Sequence, residues 1–171
     1  MNNAWVALSL GTNLGPRERN LKMATDELKN LLENVRCSRV YETVPVGYAD
    51  QPLFLNAVLV GYTKWSADEI LDRILDIELK GGRTRSIVNG PRTIDIDLLL
   101  YGHEMRGLFV SQSSRLTVPH ARLHERAFVL QPLNELMPEQ IHPVLNQTIG
   151  ELAERVGSKG VVQVSDILNA K

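Results

Sequence analysis

The string Arg92-Thr-Ile-Asp95-Ile-Asp97-Leu-Leu-Leu sets two carboxylates at i and i+2 inside an apolar run. Side chains alternate along a strand, so Asp95 and Asp97 share one face while Ile94, Ile96 and Leu98 take the other. Their Cα atoms would stand roughly 6 to 7 Å apart. That spacing lets both acids reach one hard cation or hold two between them. Oxygen ligands without a complete protein cage suit Mg²⁺, which fills its shell with water and substrate phosphates. The competing reading is a solvated strand face.

Three neighbouring clusters weigh against solvation alone. Arg83, Arg85 and Arg92 fall within ten residues, directly before the acids. Guanidinium groups recognise phosphate bidentately, and Gly81, Gly82 and Gly90 leave their loop free to adapt to a bound anion. Downstream, Arg115, His120, Arg122, His124 and Arg126 crowd into twelve residues, with Thr117 among them and Pro119 before His120. A helix starting there would add backbone N–H donors to an anion site. Upstream, Phe54 and Asn56 sit at i and i+2, which puts a ring and an amide on one strand face. Such a pair suits a flat heterocycle, with Phe128 as a second ring. The plain alternatives are a solvated basic loop, surface histidines and core aromatics.

Several signatures are absent. No G-x-x-x-x-G-K-[ST] loop occurs, Gly11-Thr-Asn-Leu-Gly15 is not a dinucleotide fingerprint, and no G-x-S-x-G elbow appears. Paired carboxylates beside an arginine cluster point to phosphoryl-type transfer, in which catalysis is positioning and charge neutralisation.

The elements that must position these groups follow from periodicity. Trp5–Leu10 reads as a buried strand ending in a turn at Gly11–Gly15. Pro16 opens a helix carrying Leu21, Ala24, Leu28 and Leu31 at helical spacing. Strands are expected over 36–44 and 54–62, joined by a loop between Pro45 and Pro52. Ser66-Ala-Asp-Glu69 is a capping box opening a second helix that stops at Gly81-Gly82. Thr93–Tyr101 is the clearest strand. A hairpin is expected over 108–118, and a helix over 122–136 that Pro132 must break or kink. Thr148-Ile-Gly-Glu151 caps a last short helix. The order predicts an α+β protein, a ferredoxin-like βαββαβ core with an antiparallel sheet and additional C-terminal helices. The 171 residues suit a single domain over 1–171, with about 157–171 as an accessory tail.

Composition narrows the class. Hydrophobic residues make up 43% and charged residues 23%, which excludes a disordered, collagenous or coiled-coil chain. Lys+Arg 19 against Asp+Glu 20 gives −1, so no global charge favours nucleic acid or a membrane surface. One cysteine, Cys37, excludes an intrachain disulfide and a Cys-based zinc site. Without a basic n-region or a long apolar run, the expectation is a soluble cytoplasmic protein.

Four strings together resemble a known family. Tyr41-Glu-Thr-Val-Pro-Val-Gly47, Asp50-Gln-Pro-Leu-Phe-Leu-Asn56, Gly90-Pro-Arg-Thr-Ile-Asp-Ile-Asp97 and Leu116-Thr-Val-Pro-His120 are similar, in order, to motifs of the 6-hydroxymethyl-7,8-dihydropterin pyrophosphokinases of folate biosynthesis. The resemblance runs from about residue 4 to 155. It implies transfer of the β,γ-diphosphate of ATP to the pterin's hydroxymethyl oxygen, with release of AMP. It implies two Mg²⁺ ions held by Asp95 and Asp97. The pterin would lie between Phe54 and Phe128, read by Asn56 and lined by Thr43 and Val46. Arg83 and Arg92 would close over the nucleotide, and Glu78, Arg85, Arg115, Thr117, His120 and Arg126 would surround ATP. The partners implied are small molecules, to a monomer. Two departures stand out: Asn89 where the family often has tryptophan, and Thr12 where serine is usual. Residue types alone leave two alternatives, another Mg²⁺-dependent nucleotidyltransferase or phosphohydrolase, and a noncatalytic ferredoxin-like binding module.

Overall fold

The computed structural model describes residues 4–84, 87–103 and 107–170. Nine strands and four α-helices are present among them. The main sheet is built on β1 (Ala4–Thr12), with β4 (Phe54–Thr63) and β5 (Asp95–His103) on either side, both antiparallel to it. β3 (Val40–Thr43) and β2 (Glu33–Cys37) both pair with β4, and the two-residue β6 (Gly107–Leu108) closes the far edge against β5. The 36–44 segment is therefore two strands rather than one. Ser38 makes the break: its N–H donates to the Val58 carbonyl (2.8 Å) and its hydroxyl accepts from the Val58 N–H (2.9 Å).

Both faces of this sheet are covered. α1 (Arg17–Leu31) and α2 (Ala67–Lys80) lie on one face, over Val6, Leu8, Leu10, Leu59, Ile96 and Leu98. α2 starts at the expected capping box, with Ser66 and Glu69 bonded reciprocally. α3 (Ala127–Leu136) and α4 (Ile149–Val156) pack on the other face, over Ala7, Val58, Val60, Leu99 and Leu100. α4 opens on its own capping box, Thr148 with Glu151. The expected hairpin is β7 (Ser111–Gln112) with β8 (Thr117–Val118).

Two further expectations change. The break assigned to Pro132 falls earlier: residues 123–125 form a 3₁₀ turn, and α3 then runs through Pro132 without interruption. A proline removes one backbone hydrogen bond, and here Val129, Leu130 and Leu133 are almost wholly buried around it, so packing holds the helix together. The last residues, expected as an accessory tail, add an edge strand: β9 (Val161–Ser165) pairs with β3, and Leu168 is buried in the core. No described helix is long and apolar enough to cross a membrane.

Candidate active site

The odd-numbered residues of β1 all face α3 and α4, yet those helices cover only part of their row. Trp5 and Ala7 lie beneath the helices, whereas Ser9 and Gly11 line an open cleft. β4 repeats the pattern, with Val58 and Val60 covered and Asn56 and Phe54 in the cleft. On β5, Leu99 and Leu100 are covered while Asp97 and Asp95 line the cleft. Register brings these residues side by side. Asp97 lies opposite Ser9, and Gly11 lies between Asp95 and Asn56. The cleft spans about 600 Å³ with the open solvent at its mouth included.

A β-bulge sets the acids' orientation. Ala7 pairs with Leu100 but Leu8 pairs with Leu98, leaving Leu99 as the extra residue. Before the bulge, Asp95 and Asp97 point into the cleft while Ile94, Ile96 and Leu98 point into the core. After it the parity inverts, which lets Leu100 meet α3 and α4 while Tyr101 packs in the opposite core. The bulge also leaves the Leu99 carbonyl free to accept the backbone N–H of His120 at 2.9 Å. One irregularity thus aims both acids and anchors the histidine beside them.

Charge at the floor is unevenly compensated. Asp95 is held by Arg83 (2.6 Å) and faces Arg92 Nε at 3.5 Å. Among the described residues the nearest cation to Asp97 is Arg126, at 4.0 Å, and the His120 ring stands close by with Nε2 at 3.9 Å. Burial first, then the Asp95 carboxylate, push the Asp97 pKa up to about 6. The His120 pKa falls to about 4, because of burial first and then Arg126. Its Nδ1 accepts the Arg122 backbone N–H (3.2 Å), so the neutral ring carries its proton on Nε2, on the Asp97 side.

At the other end of the cleft Asn56 donates to the Thr43 hydroxyl (2.6 Å), and both residues are buried. A Cβ on Gly11 would stand 2.9 Å from Asn56 Oδ1, so glycine keeps this amide in place. Arg92 lies 4.9 Å over the Phe54 ring and Arg126 lies 5.6 Å over Phe128. Both aromatics line the cleft, each with a guanidinium on its ring. α3 begins here with no side-chain cap and no acidic residue in its first turn, so its first N–H groups are open to an anion.

The cleft gathers Thr43, Val46, Phe54, Asn56, Arg92, Asp95, Asp97, Arg126 and Phe128 of the sequence candidates. Arg83 lies beneath, bound to Asp95 and Glu78. Glu78 is buried, accepts the Ile96 N–H (2.8 Å) and has its pKa raised by that burial. It stands under the strand rather than in the cleft. Arg115 pairs with Asp72 and Asp68 on α2, and Thr117 lines a neighbouring cavity that His120 shares. Arg85 lies outside the described residues. Sequence reasoning did not single out Ser9, Gly11 or Val44 as cleft residues. Strand alternation extended from Ala7 would have reached the first two.

A strand floor bearing two acids, ringed by guanidinium groups and flanked by two aromatics, has the chemistry to hold phosphates and a flat ring. Residues 7–138 match the family described as 7,8-dihydro-6-hydroxymethylpterin-pyrophosphokinase (HPPK). The chain is 42% identical over 139 residues to the 2-amino-4-hydroxy-6-hydroxymethyldihydropteridine pyrophosphokinase of Bacillus subtilis, covering 80% of this chain and 79% of that protein. It is 38% identical over 172 residues to the folic acid synthesis protein fol1 of Schizosaccharomyces pombe, covering 99% of this chain but 23% of the longer protein. The crystal structure of wild-type Plasmodium falciparum HPPK-DHPS shares the fold, with a TM-score of 0.65 at 18% identity over 90% of this chain and 43% of that one. This chain belongs to the HPPK family.

Proposed function

We propose that this chain transfers the β,γ-diphosphate of ATP to the 6-hydroxymethyl oxygen of 6-hydroxymethyl-7,8-dihydropterin, releasing AMP. The observation that carries this reading is the row across the sheet, Asp95–Gly11–Asn56. It joins a pair of acids at one end to a buried ring-reading amide at the other. The hydroxyl oxygen forms a bond to the β-phosphorus, the bond from that phosphorus to the bridging oxygen breaks, and AMP departs with that oxygen. The hydroxyl proton leaves to solvent.

The donor set fits Mg²⁺. No described cluster of three or more His, Cys, Asp or Glu could cage a metal. The floor offers two carboxylates, and among the described residues no cation lies closer to Asp97 than Arg126 at 4.0 Å. Asp95 and Asp97 would hold the ions, two in number, with phosphate and water oxygens completing their shells. Bound there, the metal supplies charge neutralisation and polarises the attacking hydroxyl. The chain does the rest. Phe54 and Phe128 orient the ring, Asn56 reads its edge, and Arg92 and Arg126 neutralise phosphate oxygens. His120 presents its Nε2 proton towards the departing charge. In this reading the core is a ferredoxin-like split βαβ, which the order β5-β1-β4-β3 supports.

The test mixes protein, Mg²⁺, ATP and 6-hydroxymethyl-7,8-dihydropterin. AMP should appear one for one with pterin diphosphate. ADP, pyrophosphate or inorganic phosphate as the pterin-dependent product would overturn the reading.

A further inference from the structure

The turn that ends α2 folds the chain back on the helix. Gly82, at φ +75, donates its N–H to the Leu79 carbonyl at 3.0 Å, and the Arg83 N–H donates to the Glu78 carbonyl at 3.1 Å. This is the Schellman arrangement, in which a residue just past the cap adopts the left-handed conformation that glycine tolerates. It lays Arg83 back over Glu78, and their side chains meet as well: Arg83 Nη1 pairs with Glu78 Oε1. The same Glu78 oxygen reaches β5. Among the described residues β6 pairs with β5 at Gly102 and His103 alone, and further along the strand the Ile96 N–H donates to Glu78 Oε1 at 2.8 Å.

Arg83 Nη1 also lies 2.6 Å from Asp95 Oδ1. One guanidinium nitrogen thus bridges two carboxylates, Glu78 beneath the strand and Asp95 in the cleft. A divalent cation arriving at Asp95 Oδ1 meets an oxygen that a guanidinium already occupies. Two cations in contact with one oxygen repel each other, so Arg83 must release Asp95. The Arg83 side chain is only 14% exposed, and a buried charge left without a partner is strongly destabilising. Glu78 supplies the partner. A glutamine at position 78 could accept the Ile96 N–H equally well, so the charge of Glu78 matters to Arg83 rather than to the strand.

We propose that Glu78 is a positioning residue for the metal site: Arg83 holds Asp95 as a stand-in cation, and Glu78 keeps Arg83 in place when a divalent cation takes Asp95. This rests on the functional reading above, which assigns Mg²⁺ to Asp95 and Asp97. Until the cation arrives, the guanidinium limits repulsion between the two acids. Afterwards it remains beneath the floor, bound to Glu78, instead of competing for Asp95.

The experiment titrates Mn²⁺, a paramagnetic substitute for Mg²⁺, into the nucleotide-free protein at fixed pH and reads bound metal by electron paramagnetic resonance. Arg83→Gln removes the competitor and should tighten Mn²⁺ binding about fivefold or more, the scale of a hydrogen bond between charged groups. Glu78→Gln leaves Arg83 with Asp95 as its close ionic partner, so Mn²⁺ binding should weaken by a similar factor. Opposite signs cannot both come from damage to the fold. In the double variant the effect of Glu78→Gln should vanish, leaving an affinity within about twofold of Arg83→Gln alone. If Glu78 acts on the metal only through space, its effect is the same with or without Arg83, and that additive result overturns the proposal. An Arg83→Gln protein that binds Mn²⁺ no more tightly than the unaltered one overturns it too. A further check needs no variant. On addition of Mg²⁺ the Arg83 side-chain N–H resonance should shift yet stay protected from solvent exchange; loss of protection would show Arg83 leaving Glu78 and would overturn its role. Absence of Mn²⁺ binding in all four proteins overturns the metal assignment of the functional reading instead.

Discussion

One sheet face carries two opposite environments within a few residues. On β1 the face runs Trp5, Ala7, then Ser9, Gly11; on β4 it runs Val60, Val58, then Asn56, Phe54; on β5 it runs Leu100, Leu99, then Asp97, Asp95. The first half of each row is sealed under α3 and α4, and the second half is left open. The seam is the start of α3, where Arg126 and Phe128 line the cleft while Val129 and Leu130 enter the core. Both halves obey the same alternation rule. What differs is whether a helix covers the row. Covered positions are apolar and contribute stability; the uncovered ones are small, polar or aromatic and include two acids, of which Asp97 is the less compensated among the described residues.

Breaking each half should therefore damage different properties. Asp97→Ala removes an acid from the open half, and kcat should fall by about 10³-fold or more while the fold persists. Circular dichroism and single-turnover kinetics on the same sample check both parts, and near-normal turnover would sink the metal assignment. Leu130→Ala, in the covered half, should cost about 3 kcal/mol of unfolding free energy, since Leu130 is wholly buried. Its turnover below the melting transition should remain close to that of the unaltered protein. Denaturant titration with an activity assay at low temperature separates the two.

Gly11→Ala sharpens the contrast inside the open half. The new methyl would press on Asn56 Oδ1 rather than on backbone, so the amide must turn away from Thr43. Pterin affinity should weaken by about tenfold, the scale of a lost buried hydrogen bond, with a smaller change in nucleotide affinity. Equal losses for both ligands would show that Gly11 supports the whole floor rather than the amide.

The acid pair, the alternation around it and both capping boxes were legible because each is a local pattern. Asp95 and Asp97 need only period two, and Ser66 and Glu69 need only a spacing of three. The bulge at Leu99 was hidden because Leu98-Leu99-Leu100 reads the same with or without a parity change. Gly11 read as a turn residue, since nothing local says that its missing side chain makes room for Asn56, forty-five positions away. The pairing of Glu78 and Arg83 beneath Asp95 was hidden for the same reason: it depends on the end of α2 meeting β5. β9 was missed because its Val162 and Val164 stay exposed and pattern weakly; only pairing with β3 makes it a strand.

The smallest predicted effect tests whether the open half is left unstable by its own charge. Consider the metal-free protein, held so by a chelator. Folded Asp97 ionises near pH 6, whereas an unfolded aspartate ionises at about 4. Across that window the folded state holds a proton that the unfolded chain has lost, so this group's stabilising contribution disappears as pH rises towards 6. His120 works in the opposite direction. Its folded pKa is near 4 against about 6.5 unfolded, so its contribution is complete above the unfolded value and is lost as pH falls. The two slopes oppose each other over nearly the same range. Asp97→Asn removes only the first. Since Asp97 is not among the charges that depress His120, the histidine slope should remain. The variant should therefore gain stability from pH 4 to 6.5 more steeply than the unaltered protein, and the difference between them should widen through pH 6 and then level off. Urea titrations of both proteins across that range provide the check, because contributions from other groups cancel in the difference. A gap that stays constant with pH would mean that Asp97 ionises normally, and that the open half of the sheet carries no uncompensated charge waiting for a cation.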